Sequence, residues 1–196
     1  MIAFLKGEFV NKTPANVIVN VGGVGYDLQI SLNTYSAISQ LDHGMLYTHL
    51  QITENNHTLF GFADLNEKSL FLQLIAVSGV GASTARMMLS GMKPDEIIRA
   101  IVQNNAGQLE KIKGIGRKTA ERLIVELKDK LAKVHDQQIG SFQPLPRSIE
   151  SDTLDALMAL GIGKQLAENA IRKTLKASSD QTMDLESLIK NSLKNL

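Results

Sequence analysis

Apolar and polar residues alternate with period two over the first third of the chain and follow a helical period thereafter. Residues 15–32, ANVIVNVGGVGYDLQISL, alternate around Gly22-Gly23 and Gly25, which predicts a β-hairpin. Residues 47–62, YTHLQITENNHTLFGF, predict a second hairpin turning at Asn55-Asn56, because Asn tolerates the left-handed backbone of tight turns. About five such strands within residues 1–64 suit a small closed barrel, since an open sheet would leave edges to protect.

From Asp64 onward the spacing becomes helical. NEKSLFLQLIAV, ASTARMMLSGM, PDEIIRAIVQNN and KTAERLIVELKDKLAKV each carry apolar residues at i, i+3 and i+4. Pro94 stands at a favoured first-turn position, and Asp95 and Glu96 suit the positive end of the helix dipole. The helical pattern stops near Val134, and residues 135–147, with Pro144 and Pro146, read as a flexible linker. From Ser148, three further helical segments are expected, with Gly161 and Gly163 after the first. The fold class is therefore α+β and multidomain: a barrel over 1–64, a helical domain over 65–134, a linker, and a three-helix unit over 148–196. An oligonucleotide-binding-type barrel is one candidate for the first domain. A unit as small as the last is marginal alone, so docking on a partner is expected.

The helical region contains a duplication. Shifting the chain by 35 residues lays LIAVSGVGASTARMML (74–89) on LEKIKGIGRKTAERLI (109–124). Gly79 and Gly81 fall on Gly114 and Gly116, Thr84-Ala85 on Thr119-Ala120, and Val80 on Ile115. Each copy reads helix, Gly-apolar-Gly, helix. The glycines allow positive φ and close approach of another backbone, and the apolar residue between them can plug the angle between two helices. Beyond the second glycine, the unpaired N–H groups of a helix start make an anion site. Lys113, Arg117 and Lys118 surround those amides in the second copy. The first copy has Ala82 and Ser83 at the positions of Arg117 and Lys118, and relies on amides and the hydroxyls of Ser83 and Thr84. Phosphate is the anion these groups suit.

Charge supports the same region. Residues 65–134 carry twelve cations and seven anions, whereas 1–64 carry two and five, and 135–196 seven and eight. A basic middle between acidic flanks fits local phosphate binding. A solvated helical face is the alternative on charge alone. Other readings of the glycines fit less well. A tight structural turn explains one copy more readily than two. A dinucleotide loop needs a preceding strand and a third glycine, and a nucleotide P-loop needs glycine where Arg117 stands before Lys118-Thr119.

The chain has no cysteine, which excludes disulfides and thiolate metal sites. His43, His49, His57 and His135 have no metal-ligand spacing, so no metal and no cofactor is expected. The ARMMLSGM stretch reads as helix core. No apolar run suits a membrane span or a signal peptide, and a cytoplasmic location is expected.

The paired motifs SGVG and KGIGRKTAERLIVELKDKL, with MIAFLKGE, GGVGYD, LFGF, the linker and the small last domain, resemble the RuvA family of Holliday-junction-binding subunits over essentially the whole chain. That resemblance implies an N-terminal OB-like barrel, two helix–hairpin–helix motifs and a C-terminal three-helix, UBA-like domain. It implies a homotetrameric platform, single or stacked face to face as an octamer, that holds four DNA arms in recombination and repair. Gly79, Val80, Gly81, Gly114, Ile115 and Gly116 would supply the amide-bearing turns, with Ser83, Arg117 and Lys118 adding contacts. The C-terminal domain would engage the RuvB ATPase, and the RuvC resolvase would act on the same junction.

The family's barrel hairpin carries two adjacent acids as a central pin. Here Glu54 matches the first and Asn55 replaces the second, so a tetramer would present four pin carboxylates from this turn rather than eight. Leu157, Leu160 and Ile162 read mostly as core, with one or two available to dock the ATPase. A nuclease or glycosylase built on the same hairpins would need a carboxylate cluster or a base pocket. The barrel acids Glu8, Asp27, Asp42, Glu54 and Asp64 show no such spacing. A structural adaptor would show no salt-sensitive affinity for DNA.

Overall fold

The computed structural model describes residues 1–139, 148–177 and 183–196. They fall into two units, Met1–Gly140 and Ser141–Leu196. The first begins with β1 (Phe4–Lys12), β2 (Asn16–Val21), β3 (Val24–Ile30), a short helix α1 (Leu32–Ile38), β4 (His43–Thr53) and β5 (Asn56–Phe62). The strands close into a barrel in the order β1-β2-β3-β5-β4, with β1 also paired to β4. Only the β3–β5 pair is parallel, registering Leu28 with Leu59. Period-two alternation sends Val17, Val19, Leu28 and Leu46 inward, where they are fully buried.

The two hairpins turn by different means. Gly22 and Gly23 adopt φ of 61° and 90°, the backbone a two-residue hairpin turn requires. The second turn lies one residue earlier than the Asn55-Asn56 expectation: Thr53 pairs with Asn56, so Glu54 and Asn55 form the loop. Neither has positive φ; among described non-glycine residues only Asn104 does. The left-handed tolerance of Asn is therefore not what shapes this turn.

Helix α1 was not visible in the strand-like alternation around it. Ser31 caps it, its Oγ accepting from the Thr34 N–H at 3.0 Å, and Ile38 anchors it in the barrel core.

After β5 come α2 (Leu65–Ile75), α3 (Ala82–Gly91), α4 (Pro94–Val102), α5 (Ala106–Leu109) and α6 (Arg117–Ile139). Pro94 opens α4 as expected, and Glu96 accepts from the Lys93 N–H at 2.9 Å. Alternation along β5 splits its side chains between two cores. Leu59 faces into the barrel, whereas Phe60 and Phe62 face Phe71 of α2 at centroid distances of 5.1 and 4.9 Å. Burying a ring such as Phe71 contributes about 1.5–3 kcal/mol, so this aromatic cluster joins barrel and helices strongly. In the methionine-rich stretch, Met88 is core and Met87 is exposed. The α6 backbone continues through 135–139, residues expected in the linker; the rest of that segment, 140–147, lies outside the described residues.

The second unit contains α7 (Ile149–Ala159), α8 (Lys164–Ala177) and α9 (Leu185–Lys194), the three helices expected. Leu157, Ala167 and Ile171 form its centre, with Leu154, Ile162 and Ile189 packed around them. Asn195 donates to the buried Thr174 Oγ1 at 2.9 Å, holding the end of α9 to α8.

Candidate nucleic-acid interface

The duplicated sequence folds into duplicated geometry. In the first copy, α2 leads through Gly79 (φ 91°) to α3; in the second, α5 leads through Gly114 (φ 95°) to α6. The hydrogen bonds repeat at the same offset. Val77 N–H donates to Leu74 O and Ile112 N–H to Leu109 O, both at 3.1 Å. Val80 N–H donates to Val77 O and Ile115 N–H to Ile112 O, both at 3.0 Å. Ala85 N–H donates to Gly81 O and Ala120 N–H to Gly116 O, both at 2.9 Å. One difference is length: the leading helix of the second copy, α5, has only four residues, because Asn104 (φ 54°) ends α4 and Asn105 caps α5 just before it.

These bonds sort the expected site residues by what they can offer. Val80 and Ile115 are each 5% exposed and plug their hairpins into the helical core. Their N–H groups are already committed to Val77 and Ile112, so their role is to shape the turn rather than to donate to a ligand. Gly79 and Gly114 need glycine for their own backbone conformation. Gly81 and Gly116 do not: neither has positive φ, and a Cβ at either would meet nothing within 4 Å. Nothing inside the described structure requires glycine at either position.

Gly81 brings no capping side chain, so the first-turn amides of α3 have no side-chain cap. Ser83 is exposed beside them and Thr84 is half-buried. At the second hairpin Lys113, Arg117 and Lys118 are all exposed. Arg117 Nε donates to Glu121 Oε1 at 2.9 Å, and this hydrogen bond, with the adjacent negative charge, raises the guanidinium pKa further. Lys118 sits next to it on the same first turn. Both hairpins therefore present helix starts to solvent, and the second adds cations, a combination suited to phosphate.

One tie between the hairpins was missed in the sequence. Arg122, on α6, donates from Nη1 to the carbonyl of Ser78 in the first hairpin's loop at 3.2 Å. The available signal was a break in the repeat, since Arg122 falls on Met87 in the first copy. The barrel's Glu54 is exposed at the tip of the β4–β5 hairpin. Among the described residues no group of three or more His, Asp or Glu side chains comes together. His49 packs instead against Phe71, and burial followed by Lys68 lowers its pKa.

In the second unit the three expected docking residues separate. Leu157 is fully buried and belongs to the core, and Ile162 packs against that core. Leu160 is 63% exposed and leaves its side chain at the surface. No helix among the described residues is long and apolar enough to cross a membrane.

Comparison with known proteins matches every part of this architecture. Residues 1–61 match the RuvA N-terminal domain, 71–129 the SAM-like helix-hairpin-helix tandem, and 148–196 the RuvA C-terminal domain. Proteins named Holliday junction branch migration complex subunit RuvA are similar along their whole length. Those of Christiangramia forsetii and Flavobacterium psychrophilum are each 43% identical over 197 residues, covering 100% of both chains. That of Bacteroides fragilis is 40% identical over 203 residues, again covering 100% of both. With a barrel, a tandem of hairpins and a C-terminal helical unit in the same order, the chain belongs to the RuvA family.

Proposed function

We propose that this chain is the DNA-binding subunit of a branch-migration complex, holding a four-way junction open and planar while a separate ATPase, RuvB, moves the arms. The observation that carries this reading is the pair of hairpins repeated bond for bond, each ending in a glycine that the protein's own packing does not need. Two such turns on one rigid helical core suit two phosphates of one duplex backbone. Contacts of that kind fix position on DNA without reading sequence. A junction has four arms, so a homotetramer, single or stacked as an octamer, supplies one hairpin pair to each. Glu54 then lies at the centre as a pin, where its negative charge repels phosphate and keeps separated strands apart. Gly79, Gly81, Ser83, Thr84, Lys113, Gly114, Gly116, Arg117 and Lys118 form the grip.

The chain itself acts without catalysis in this reading; ATP hydrolysis belongs to RuvB and strand cutting to RuvC. Leu160 is the docking residue for the ATPase, since Leu157 is committed to the core. The setting is the cytoplasm, in recombination and repair. A competition gel shift at two salt concentrations tests the proposal, offering a four-way junction against linear duplex of the same sequence. Preference for the junction, weakening as salt rises, is expected. Equal affinity for both DNAs would leave a generic duplex grip, and cleavage of the DNA in magnesium would point to a nuclease instead.

A further inference from the structure

The four residues Ser31–Thr34, at the start of α1, bond to both helices of the first hairpin. On the α2 side, Ser31 Oγ and Thr34 Oγ1 both donate to the carboxylate of Glu67, Thr34 at 2.6 Å. Ser31, Thr34 and Glu67 are all buried. Each hydroxyl also accepts a backbone N–H, Ser31 from Thr34 at 3.0 Å and Thr34 from Ala63 at 3.1 Å. The hydroxyl hydrogens are thereby directed at Glu67, and the arrangement has one orientation. On the α3 side, Asn33 Nδ2 donates to Leu89 O at 2.6 Å and to Met92 O at 3.0 Å, capping the otherwise unpaired carbonyls at the end of α3. The Leu32 N–H donates to Ser90 Oγ at 3.1 Å.

Barrel and helices are otherwise connected by the chain at Ala63-Asp64, by the non-directional apolar cluster around Phe71, and by two exposed hydrogen bonds from long side chains, Arg86 Nη1 to Ala15 O at 2.9 Å and Lys68 Nζ to Ala3 O at 3.4 Å. The bonds of α1 differ in being short-armed, and those to Glu67 in being buried. Hydrogen bonds through a short helix fix an angle as well as a distance. Helix α1 is followed, after residues 39–42, by β4, the strand that ends at the Glu54 turn.

We infer that α1 is a positioning element for DNA: Ser31, Asn33 and Thr34 hold both helices of the first hairpin at one attitude to the barrel strand that leads to the Glu54 turn, and so set the preference for a junction over a linear duplex. This rests on the junction-binding reading above. Gripping a duplex requires only the hairpins, which α1 does not touch at their tips. Recognising a junction additionally requires the hairpins and the central turn to engage one DNA molecule together.

The test uses the full chain with Thr34→Val, Thr34→Ser and Asn33→Ala, measuring affinity for a four-way junction and for linear duplex by fluorescence anisotropy, with thermal melts alongside. Expected is duplex affinity within about twofold of the parent, while junction affinity falls about tenfold in Thr34→Val and Asn33→Ala and is retained in Thr34→Ser. Loss of junction and duplex affinity by the same factor, or an unchanged preference in both Thr34→Val and Asn33→Ala, overturns the inference. Asn33 is only half-buried, so its variant decides the matter if Thr34→Val fails to fold. A parent chain that does not distinguish the two DNAs would instead remove the junction reading itself, and this inference with it.

Discussion

Arg122 Nη1 lies 3.2 Å from the carbonyl oxygen of Ser78, joining the helix that follows the second glycine turn to the loop that forms the first. The first turn has no cation where the second has Arg117 and Lys118, so this guanidinium is the positive charge held against it. Arg122→Ala removes the tie, the charge and an exposed ion pair with Glu126, whose Oε1 lies 3.6 Å from Nε. The expected effect is a loss of about 1 kcal/mol, or roughly fivefold, in duplex affinity with helical circular dichroism unchanged. Arg122→Gln, which keeps a donor but no charge, separates the two contributions.

The glycines of one turn respond differently to the same substitution. Gly114→Ala forces a Cβ into a φ of 95° and lowers stability by about 1–2 kcal/mol in urea unfolding. Gly116→Ala meets open space and unfolds close to the parent, yet in the proposed complex its methyl group would stand where a phosphate backbone approaches. Affinity for DNA therefore falls in Gly116→Ala without a matching loss of stability.

Salt dependence distinguishes Lys118 from its neighbour. Lys118→Ala reduces the slope of log K against log salt by about one, the loss of a single phosphate contact. Arg117 is already shared with Glu121, whose carboxylate competes with phosphate. Glu121→Gln is expected to tighten duplex binding about twofold at low salt, the scale of an exposed ion pair.

Acidity acts through Glu67. Its carboxyl is pushed above the ordinary value of 4.5, first by burial, with the hydroxyls of Ser31 and Thr34 opposing the shift and Asp64 adding to it. The native state therefore binds more protons than the unfolded chain between 4.5 and the raised value. The associated stability is full below 4.5 and is lost as pH rises through the raised value. Glu67→Gln lacks this dependence, so urea midpoints should show the parent gaining on the variant as pH falls from neutrality toward 4.5.

The two leucines near the end of α7 give opposite outcomes. Leu157→Asp places a charge in the centre of the C-terminal unit and unfolds it, a loss of several kcal/mol. Leu160→Asp changes an exposed side chain and shifts stability by less than about 0.5 kcal/mol, while capture of the ATPase weakens in pull-down.

Much of the candidate interface was legible from spacing, because the glycine–apolar–glycine pattern and the helices around it depend on local backbone preferences. The offset of 35 residues placed two turns whose hydrogen bonds coincide. Less legible was which donors remain available. Val80 and Ile115 looked like amide donors, but their N–H groups bond three residues back, which sequence position does not reveal. Likewise Leu157, Leu160 and Ile162 looked alike as apolar residues, and only packing separates a core leucine from a surface one.

By itself the sequence determined the order of barrel, tandem hairpins and C-terminal helices, the positive charge around the second hairpin, and the turns that demand glycine, all of which follow from periodicity and residue-level φ preferences. The tertiary structure decided what depends on residues far apart in the chain. It turned the β4–β5 loop at Glu54-Asn55, because strand register rather than Asn propensity set the turn. It also brought Arg122 to Ser78 across 44 residues, and Thr34 to Glu67 across 33. Such contacts form only once two hydrophobic cores have fixed the elements that carry them, and no local pattern encodes that meeting.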